Sequence, residues 1–235
     1  MTELLLTAGV GVIALNVYAL LLVILRGPLF RTRVYRPMLL NIGLSVAPAV
    51  VLLIVVVVLL IVVEAFPSPI AMWSVMGVGA IIWLLLLPNS AYLITELNFS
   101  HRRDEDDVPL WFDIVLVLTL AMSGVINTLA NVALVQLLAV LVAAPNAAYP
   151  LHHPVSWGAA ALALVLVALG MYLGRYVRFN SWDLLRPARF LRKLVDHFRE
   201  PRNSAAAAGF VITHSVFLTI LYVIIAAPTL LAIVP

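Results

Sequence analysis

The chain has 235 residues, of which 64% are hydrophobic and 11% are charged, and its mean hydropathy is +1.13. Soluble domains carry roughly 25% charged residues, so a water-soluble globular protein is excluded, because it could not bury this much apolar surface. The net charge of +3 lies in segments that flank apolar stretches, which indicates attraction to anionic lipid headgroups and not a nucleic-acid footprint. No cysteine is present, which excludes disulfides, a thiol nucleophile and a Cys-ligated metal.

Six apolar stretches are long enough to cross a bilayer, since each exceeds the ~20 residues that span ~30 Å of hydrocarbon. We therefore predict an all-α, polytopic membrane bundle that forms one transmembrane domain over residues 1–235. The fourth stretch is too long for one upright helix and too short for two, so we predict a single helix that is tilted or bent near Gly124. The predicted spans are residues 4–25, 39–63, 70–95, 111–143, 157–177 and 208–233.

All fourteen Lys and Arg residues fall in or beside every second connection between the predicted spans. By the positive-inside rule, the connections 26–38, 96–110 and 178–207 lie in the cytoplasm and both termini lie outside. The first span is predicted to be retained, because Glu3 stands where a cleaved signal peptide carries positive charge.

The third cytoplasmic connection contains a predicted basic amphipathic helix over residues 181–200. Asn180 is placed to cap it, and Asp183 follows where a carboxylate favours the helix N-terminus. Pro187 is an alternative start for the helix. Apolar residues recur at helical spacing and basic residues occupy the rest of the surface, a pattern typical of a helix on an anionic membrane surface.

The third span ends in a polar motif that follows Pro88. Asn89, Tyr92 and Glu96 share a helix face at i+3 and i+4 spacing, and Thr95 lies beside them. One hypothesis is a polar binding site near the cytoplasmic side of the membrane; the alternative is a proline kink stabilised by local hydrogen bonds.

Polar residues inside the fourth span predict contacts between helices. Asp113 lies one turn inside it and needs a charged partner, for which we predict Arg175 or Arg178 at the same depth. Asn127 and Asn131 lie on one face and are suited to hydrogen bonds between helices.

The second cytoplasmic connection brings His101 close to four carboxylates at residues 104–107, but it matches no metal-site spacing, so we predict no metal site. Glu96 and His101 are the candidates for an acid or base if the protein is an enzyme, and no cofactor is indicated.

Three sequence blocks, at residues 88–97, 109–113 and 174–183, resemble the bacterial membrane-protein family catalogued as domain of unknown function 1361. The family usually carries Asp where Glu96 stands, soon followed by His, whereas Phe99 occupies that position here. The resemblance implies a bacterial inner (plasma) membrane location and supplies no reaction. All three blocks map to the cytoplasmic ends of predicted spans. We therefore expect one site for a ligand or headgroup, formed by Asn89, Tyr92, Thr95, Glu96, Asp113, Arg175, Arg178, Asn180 and Asp183.

The favoured hypothesis is a non-catalytic accessory subunit or anionic-headgroup binder in a membrane assembly. Its expected partners are the bilayer, anionic lipids and other membrane proteins, and not nucleic acid. Two alternatives stay open: an integral-membrane enzyme that acts on a lipid, and a small-solute transporter that works through the Pro88 break.

Overall fold

The computed structural model describes residues 2–32, 36–65, 67–98, 107–144, 146–147, 149–177 and 187–233, and these residues are mainly helical and contain no strand. Long apolar helices follow one another with short connections, as the sequence predicted. The helices are α1 (Thr2–Phe30), α2 (Arg36–Ala65), α3 (Pro69–Tyr92), α4 (Leu110–Ala143), α5 (Pro154–Tyr172), α6 (Pro187–Phe198), α7 (Pro201–Leu221) and α8 (Ala227–Ile233).

Within the described residues, six helical stretches are long and apolar enough to cross a membrane, in agreement with the six predicted spans. The chain is therefore an all-α, multi-pass membrane protein. The fourth stretch is one continuous helix of 34 residues, as predicted. The sixth begins at Pro201 and not at residue 208, because a run of alanines, which have the highest helix propensity, continues the helix toward its N-terminus.

The chain divides into two compact units, Met1–Asn131 and Val132–Pro235. Each unit is described by itself below, and the expectation of a single domain stays a prediction. In the first unit, α2 and α3 pack against each other over an extensive contact. In the second unit, α5 packs against α7.

Helix α1 ends in a reverse turn around Arg31. This residue has a φ of 54°, and the Thr32 N–H donates to the Gly27 carbonyl at 3.2 Å. That bond over five residues, with a left-handed residue just past the helix, defines a Schellman motif. The helix consequently extends to Phe30, beyond the predicted end at residue 25, and Arg26 lies inside it.

Two helices change to a wider turn near their ends. Residues Leu173–Val177, which follow α5, form the first π turn, and residues Tyr222–Ala226, which follow α7, form the second π turn. A π turn carries i→i+5 hydrogen bonds and is frequent at functional sites. The sequence analysis did not predict either turn.

Helix α6 is the described part of the predicted amphipathic helix. It begins at Pro187, which is the alternative start that proline favours at a first helical position. The predicted cap Asn180 and the residues Arg178 and Asp183 lie outside the described residues.

Candidate functional site

The interior of the first unit contains an amide network, which consists of Asn16, Ser45, Ser90 and Asn127. Asn16 and Asn127 exchange two side-chain hydrogen bonds of 2.8 and 2.9 Å, and Asn127 Nδ2 also donates to Ser45 Oγ at 2.9 Å. Ser90 Oγ donates to the Ser45 carbonyl at 2.6 Å. Because each residue comes from a different helix, α1 to α4, the network joins all four. Side-chain hydrogen bonds of this kind hold helices together where no water is present.

Asn131 extends this arrangement by one helical turn. Its Nδ2 donates to the Asn127 carbonyl at 2.8 Å, and its Oδ1 accepts from Trp83 Nε1 at 3.0 Å. The prediction that Asn127 and Asn131 make hydrogen bonds between helices is confirmed. Asn16 and Trp83 were missed, although a single amide within the apolar first span is itself a signal for such a bond.

Helices α3 and α4 approach closely at Gly124. A methyl group on this residue would lie 2.5 Å from the Ser90 carbonyl oxygen and 2.7 Å from Leu93 Cβ. Only glycine permits that approach without a shift of one helix. The residue thus allows the close crossing of the two helices, whereas the sequence analysis considered it only as a point of bending.

The polar motif after Pro88 makes both local and distant bonds. Asn89 Nδ2 donates to the Leu86 carbonyl at 3.0 Å, and Thr95 Oγ1 donates to the Tyr92 carbonyl at 2.7 Å. Local bonds of this kind are what the alternative of a proline kink predicts. The side chain of Glu96 lies outside the described residues, so its predicted roles stay predictions. Ser90 is buried and bonds α2 instead of its own helix.

Asp113 forms an ion pair with Arg26, a partner that the sequence analysis did not predict. Arg26 Nε donates to Asp113 Oδ1 at 2.9 Å, and both side chains are at least 95% buried. Arg26 Nη1 also donates to Thr32 Oγ1 at 3.2 Å, so the turn that ends α1 supports the pair. The edge of the Phe112 ring packs on Phe30 with ring centroids 4.9 Å apart. The pair therefore joins the end of α1 to the first turn of α4.

We expected Asp113 to pair with Arg175 or Arg178. Asp113 belongs to the first unit and Arg175 to the second. Arg178 and His101 lie outside the described residues. Both Arg26 and Asp113 make interactions beyond the bonds described above. The single polar site that was expected to include Asp113 and Arg175 stays a prediction.

In the second unit, Tyr172, His197 and Asn203 form a tyrosine anchor. The Tyr172 hydroxyl donates to the Asn203 carbonyl at 3.1 Å and lies 2.9 Å from His197 Nε2. Since a hydroxyl has one proton, His197 Nε2–H is the donor in the second contact. Asn203 Nδ2 in turn donates to the His197 carbonyl at 2.9 Å. The anchor fixes the C-terminal end of α6 to α5 and α7.

Aromatic rings surround the tyrosine anchor. Tyr172 stacks on Tyr176 at 4.8 Å between ring centroids and also contacts Phe198 and Phe210. Tyr176 contacts Phe210 by its edge at 5.7 Å. Such pairs add about 0.5–1.5 kcal/mol each beyond the area that they bury, so the helix is docked by ring packing as well as by hydrogen bonds.

A second buried tyrosine, Tyr222, forms a hydrogen bond at the other end of the α5–α7 pair. The Tyr222 hydroxyl donates to Gln136 Oε1, and Gln136 Nε2 donates to Ser156 Oγ at 2.7 Å. The ring of Trp157 packs against Tyr222 with centroids 6.5 Å apart. Each of the two π turns therefore begins at, or directly after, a buried tyrosine that bonds a neighbouring helix.

Arg175 lies in the first π turn and is partly exposed. Within the described part of the chain, it forms no ion pair. Arg192 on α6 and Arg199, which directly follows α6, are exposed. These guanidinium groups are accessible to an anion.

Metal ligands do not cluster in the described residues, where no three His, Cys, Asp or Glu side chains come together. His153 accepts a hydrogen bond from the Val155 N–H at its Nδ1, at 3.3 Å, and so caps the N-terminus of α5.

The model of the family with the description "Protein of unknown function (DUF1361)" matches residues 41–221. The chain belongs to this family. No curated protein and no solved structure matches it significantly. The matched segment of this DUF1361 protein includes the three sequence blocks that carried the resemblance, whereas Asn16 and Arg26 precede it.

Proposed function

We propose that this DUF1361 protein is a non-catalytic accessory subunit of a membrane assembly that binds anionic lipid headgroups at its cytoplasmic side. The single observation that carries the proposal is the surface of α6. Leu191 and Val195 are 56% and 50% exposed, and Arg192 on the helix and Arg199 directly after it are exposed beside them. An exposed apolar stripe bordered by arginines is the surface of a helix that lies in the membrane interface.

The C-terminal end of α6 supports this orientation. His197 and Phe198 contact Tyr172, so this end of the helix is held by protein. Leu191 and Val195, one turn apart, can enter the acyl region while the arginines reach the headgroups. Arg199 also approaches Asp196 at 3.5 Å, but both side chains are more than half exposed. Such exposed pairs are weak and leave the arginine available to an anion.

The interior of the first unit supports a structural role. The amide network uses both N–H groups of Asn127 and both of Asn16 for bonds to the protein itself. A polar solute would have to break these bonds to find a donor there. No specific observation favours the enzyme hypothesis, because Glu96 Oε and His101 lie outside the described residues.

Titration of the purified protein with phosphatidylglycerol or phosphatidylcholine, followed by native mass spectrometry, tests the proposal. We expect tighter binding of phosphatidylglycerol. Arg192→Ala and Arg199→Ala should each weaken it about fivefold, since a basic residue near an anionic surface contributes about 1 kcal/mol. Arg36→Ala removes the same charge from a different helix, α2, and serves as the control. Equal binding of the two lipids would refute headgroup recognition.

The accessory role and the orientation need separate tests. Native mass spectrometry of complexes extracted gently from the membrane should recover the protein with defined protein partners, and recovery without any partner would contradict the accessory role. A reporter fused after residue 235 should be active only outside the cytoplasm. Activity inside would place α6 on the wrong side of the membrane for anionic inner-leaflet lipids.

A further inference from the structure

We infer that the first π turn forms a phosphate seat, in which Arg175 and Tyr176 bind the phosphate group and the π geometry gives both side chains their direction. The inference rests on the proposed function, because it names the group that the headgroup site would recognise. It goes beyond that proposal by assigning recognition of the phosphate group to the end of α5, beside the basic surface of α6.

The first argument is the stacking of Tyr172 on Tyr176. In an α-helix, residue i+4 is rotated by roughly 40° from residue i, because a turn contains 3.6 residues. A π turn contains more residues, so residue i+4 stops short of residue i instead of passing beyond it, and its side chain points in another direction than in an α-helix. Within this turn the two rings are stacked, with centroids 4.8 Å apart and planes inclined by 26°. Tyr176 is thus held against the anchored Tyr172.

The second argument is that Arg175 is held between fixed points. Tyr172, three residues earlier, is bonded to Asn203 and His197. Tyr176, the next residue, packs against Tyr172 and Phe210. The backbone at Arg175 is therefore fixed from both sides, and its side chain leaves the helix about a quarter turn away from the tyrosine stack. Preorganisation of this kind lowers the entropy lost when a ligand binds.

The third argument is the chemistry of the two exposed groups. Arg175 is partly exposed and forms no ion pair with another described residue, and Tyr176 is 53% exposed. A guanidinium group binds phosphate oxygens through two parallel hydrogen bonds, and a tyrosine hydroxyl can donate a third. Tyrosine also prefers the membrane interface, where lipid phosphates lie. Both a lipid headgroup and free phosphate would satisfy this chemistry.

The decisive variant exchanges Gly174→Arg and Arg175→Gly, which moves the guanidinium group by one position and leaves charge and composition unchanged. If binding depends on the direction in which the guanidinium group leaves the π turn, phosphatidylglycerol binding should weaken about fivefold in this variant. The same loss is expected in Arg175→Ala. Tyr176→Phe keeps the ring stack and should weaken binding by a smaller factor. Unchanged binding in both Arg175 variants, with α6 variants still impaired, would overturn the phosphate seat and leave the proposed function standing.

Removal of Gly174 supplies an independent test, because deletion of one residue converts a π turn into an α turn. We expect weaker phosphatidylglycerol binding at an unchanged melting temperature; unchanged binding in a folded deletion variant would contradict the role of the π turn. If the deletion variant fails to fold, the exchange variant decides. If millimolar inorganic phosphate displaces phosphatidylglycerol from the wild type but not from Arg175→Ala, the seat binds free phosphate. If phosphatidylglycerol binds and inorganic phosphate does not displace it, the seat binds lipid. Equal affinity of the wild type for phosphatidylglycerol and phosphatidylcholine would instead refute the proposed function.

Discussion

Asn16 and Asn127 exchange two hydrogen bonds across the first unit, so each amide is both donor and acceptor for the other. Removal of the Asn127 amide takes a partner from the part-buried Asn16 amide and from the buried Ser45 hydroxyl, which costs more than one bond itself contributes. We therefore expect Asn127→Ala to destabilise the protein by about 1–3 kcal/mol. The measurement is the melting temperature in detergent.

Thr213→Ala is the control for the Asn127 variant. The Thr213 hydroxyl is exposed and bonds only the Gly209 carbonyl of its own helix, at 2.7 Å. Its loss should change stability by less than about 0.5 kcal/mol. Equal melting temperatures for the two variants would show that the amide network does not stabilise the unit.

Gly124 should not tolerate a side chain. In Gly124→Ala, the methyl group would meet the Ser90 carbonyl and Leu93, so α3 and α4 must separate or shift. We expect a loss of about 1–3 kcal/mol, which is typical of overpacking in a rigid interior. The matched control is Gly77→Ala on α3, where no atom lies within 4 Å of the added group. A Gly124→Ala protein as stable as the Gly77→Ala protein would disprove the close crossing.

Replacement of only one partner of the Arg26–Asp113 pair should strongly destabilise the protein. Because both groups are buried, Asp113→Ala leaves a buried cation, and we expect a loss of about 3–5 kcal/mol. The double variant Arg26→Leu with Asp113→Leu should lose less than the sum of the single changes. Unfolding measurements on a double-mutant cycle give the coupling, and strict additivity would mean that the two side chains do not stabilise each other.

The transporter hypothesis predicts water inside the first unit, whereas the closed amide network predicts none. Because the chain has no cysteine, single cysteines can be introduced without background labelling. We expect cysteines at Ser45, Asn127 and Asn131 to stay unlabelled by a membrane-impermeant thiol reagent in whole cells. Tyr149→Cys, at a residue that is 66% exposed, is the positive control. Labelling of the three interior positions would support the transporter hypothesis.

The tyrosine anchor should control the docking of α6. Tyr172→Phe keeps the ring contacts but loses the bonds to His197 and Asn203, at a cost of about 1–2 kcal/mol. Amide hydrogen exchange in α6 should become about 5–30-fold faster, while α7 stays protected. Tyr222→Phe, which loses its bond to Gln136 at the other end of the pair, should leave exchange in α6 unchanged. Unchanged exchange in Tyr172→Phe would mean that ring packing alone docks the helix.

Features that depend on local sequence could be predicted. Hydropathy identified all six spans, and apolar periodicity identified α6. The preference of proline for a first helical position gave Pro187 as an alternative start, and the structure begins the helix there. The pair Asn127 and Asn131 was recognised because amides within an apolar span need partners from another helix.

Features that depend on the packing of distant segments could not be predicted. The partner of Asp113 is Arg26, 87 residues away in the sequence. The prediction relied on depth in the membrane, and several arginines lie at a similar depth, so this criterion could not select Arg26. The end of α1 was placed too early because nothing in its composition marks Arg31 as a left-handed residue, a position that glycine usually occupies. The π turns and the close crossing at Gly124 arise from how helices meet, which hydropathy does not describe.

The amide network has a consequence for the response of the protein to its surroundings. Its four side chains are amides and hydroxyls, which carry no net charge and do not titrate over the physiological pH range. A membrane potential does work only on charge that moves through it, at about 2.3 kcal/mol per elementary charge and 100 mV. Rearrangement of this network would therefore be electrically silent, and the way it joins α1 to α4 should be the same in an energised and a de-energised membrane.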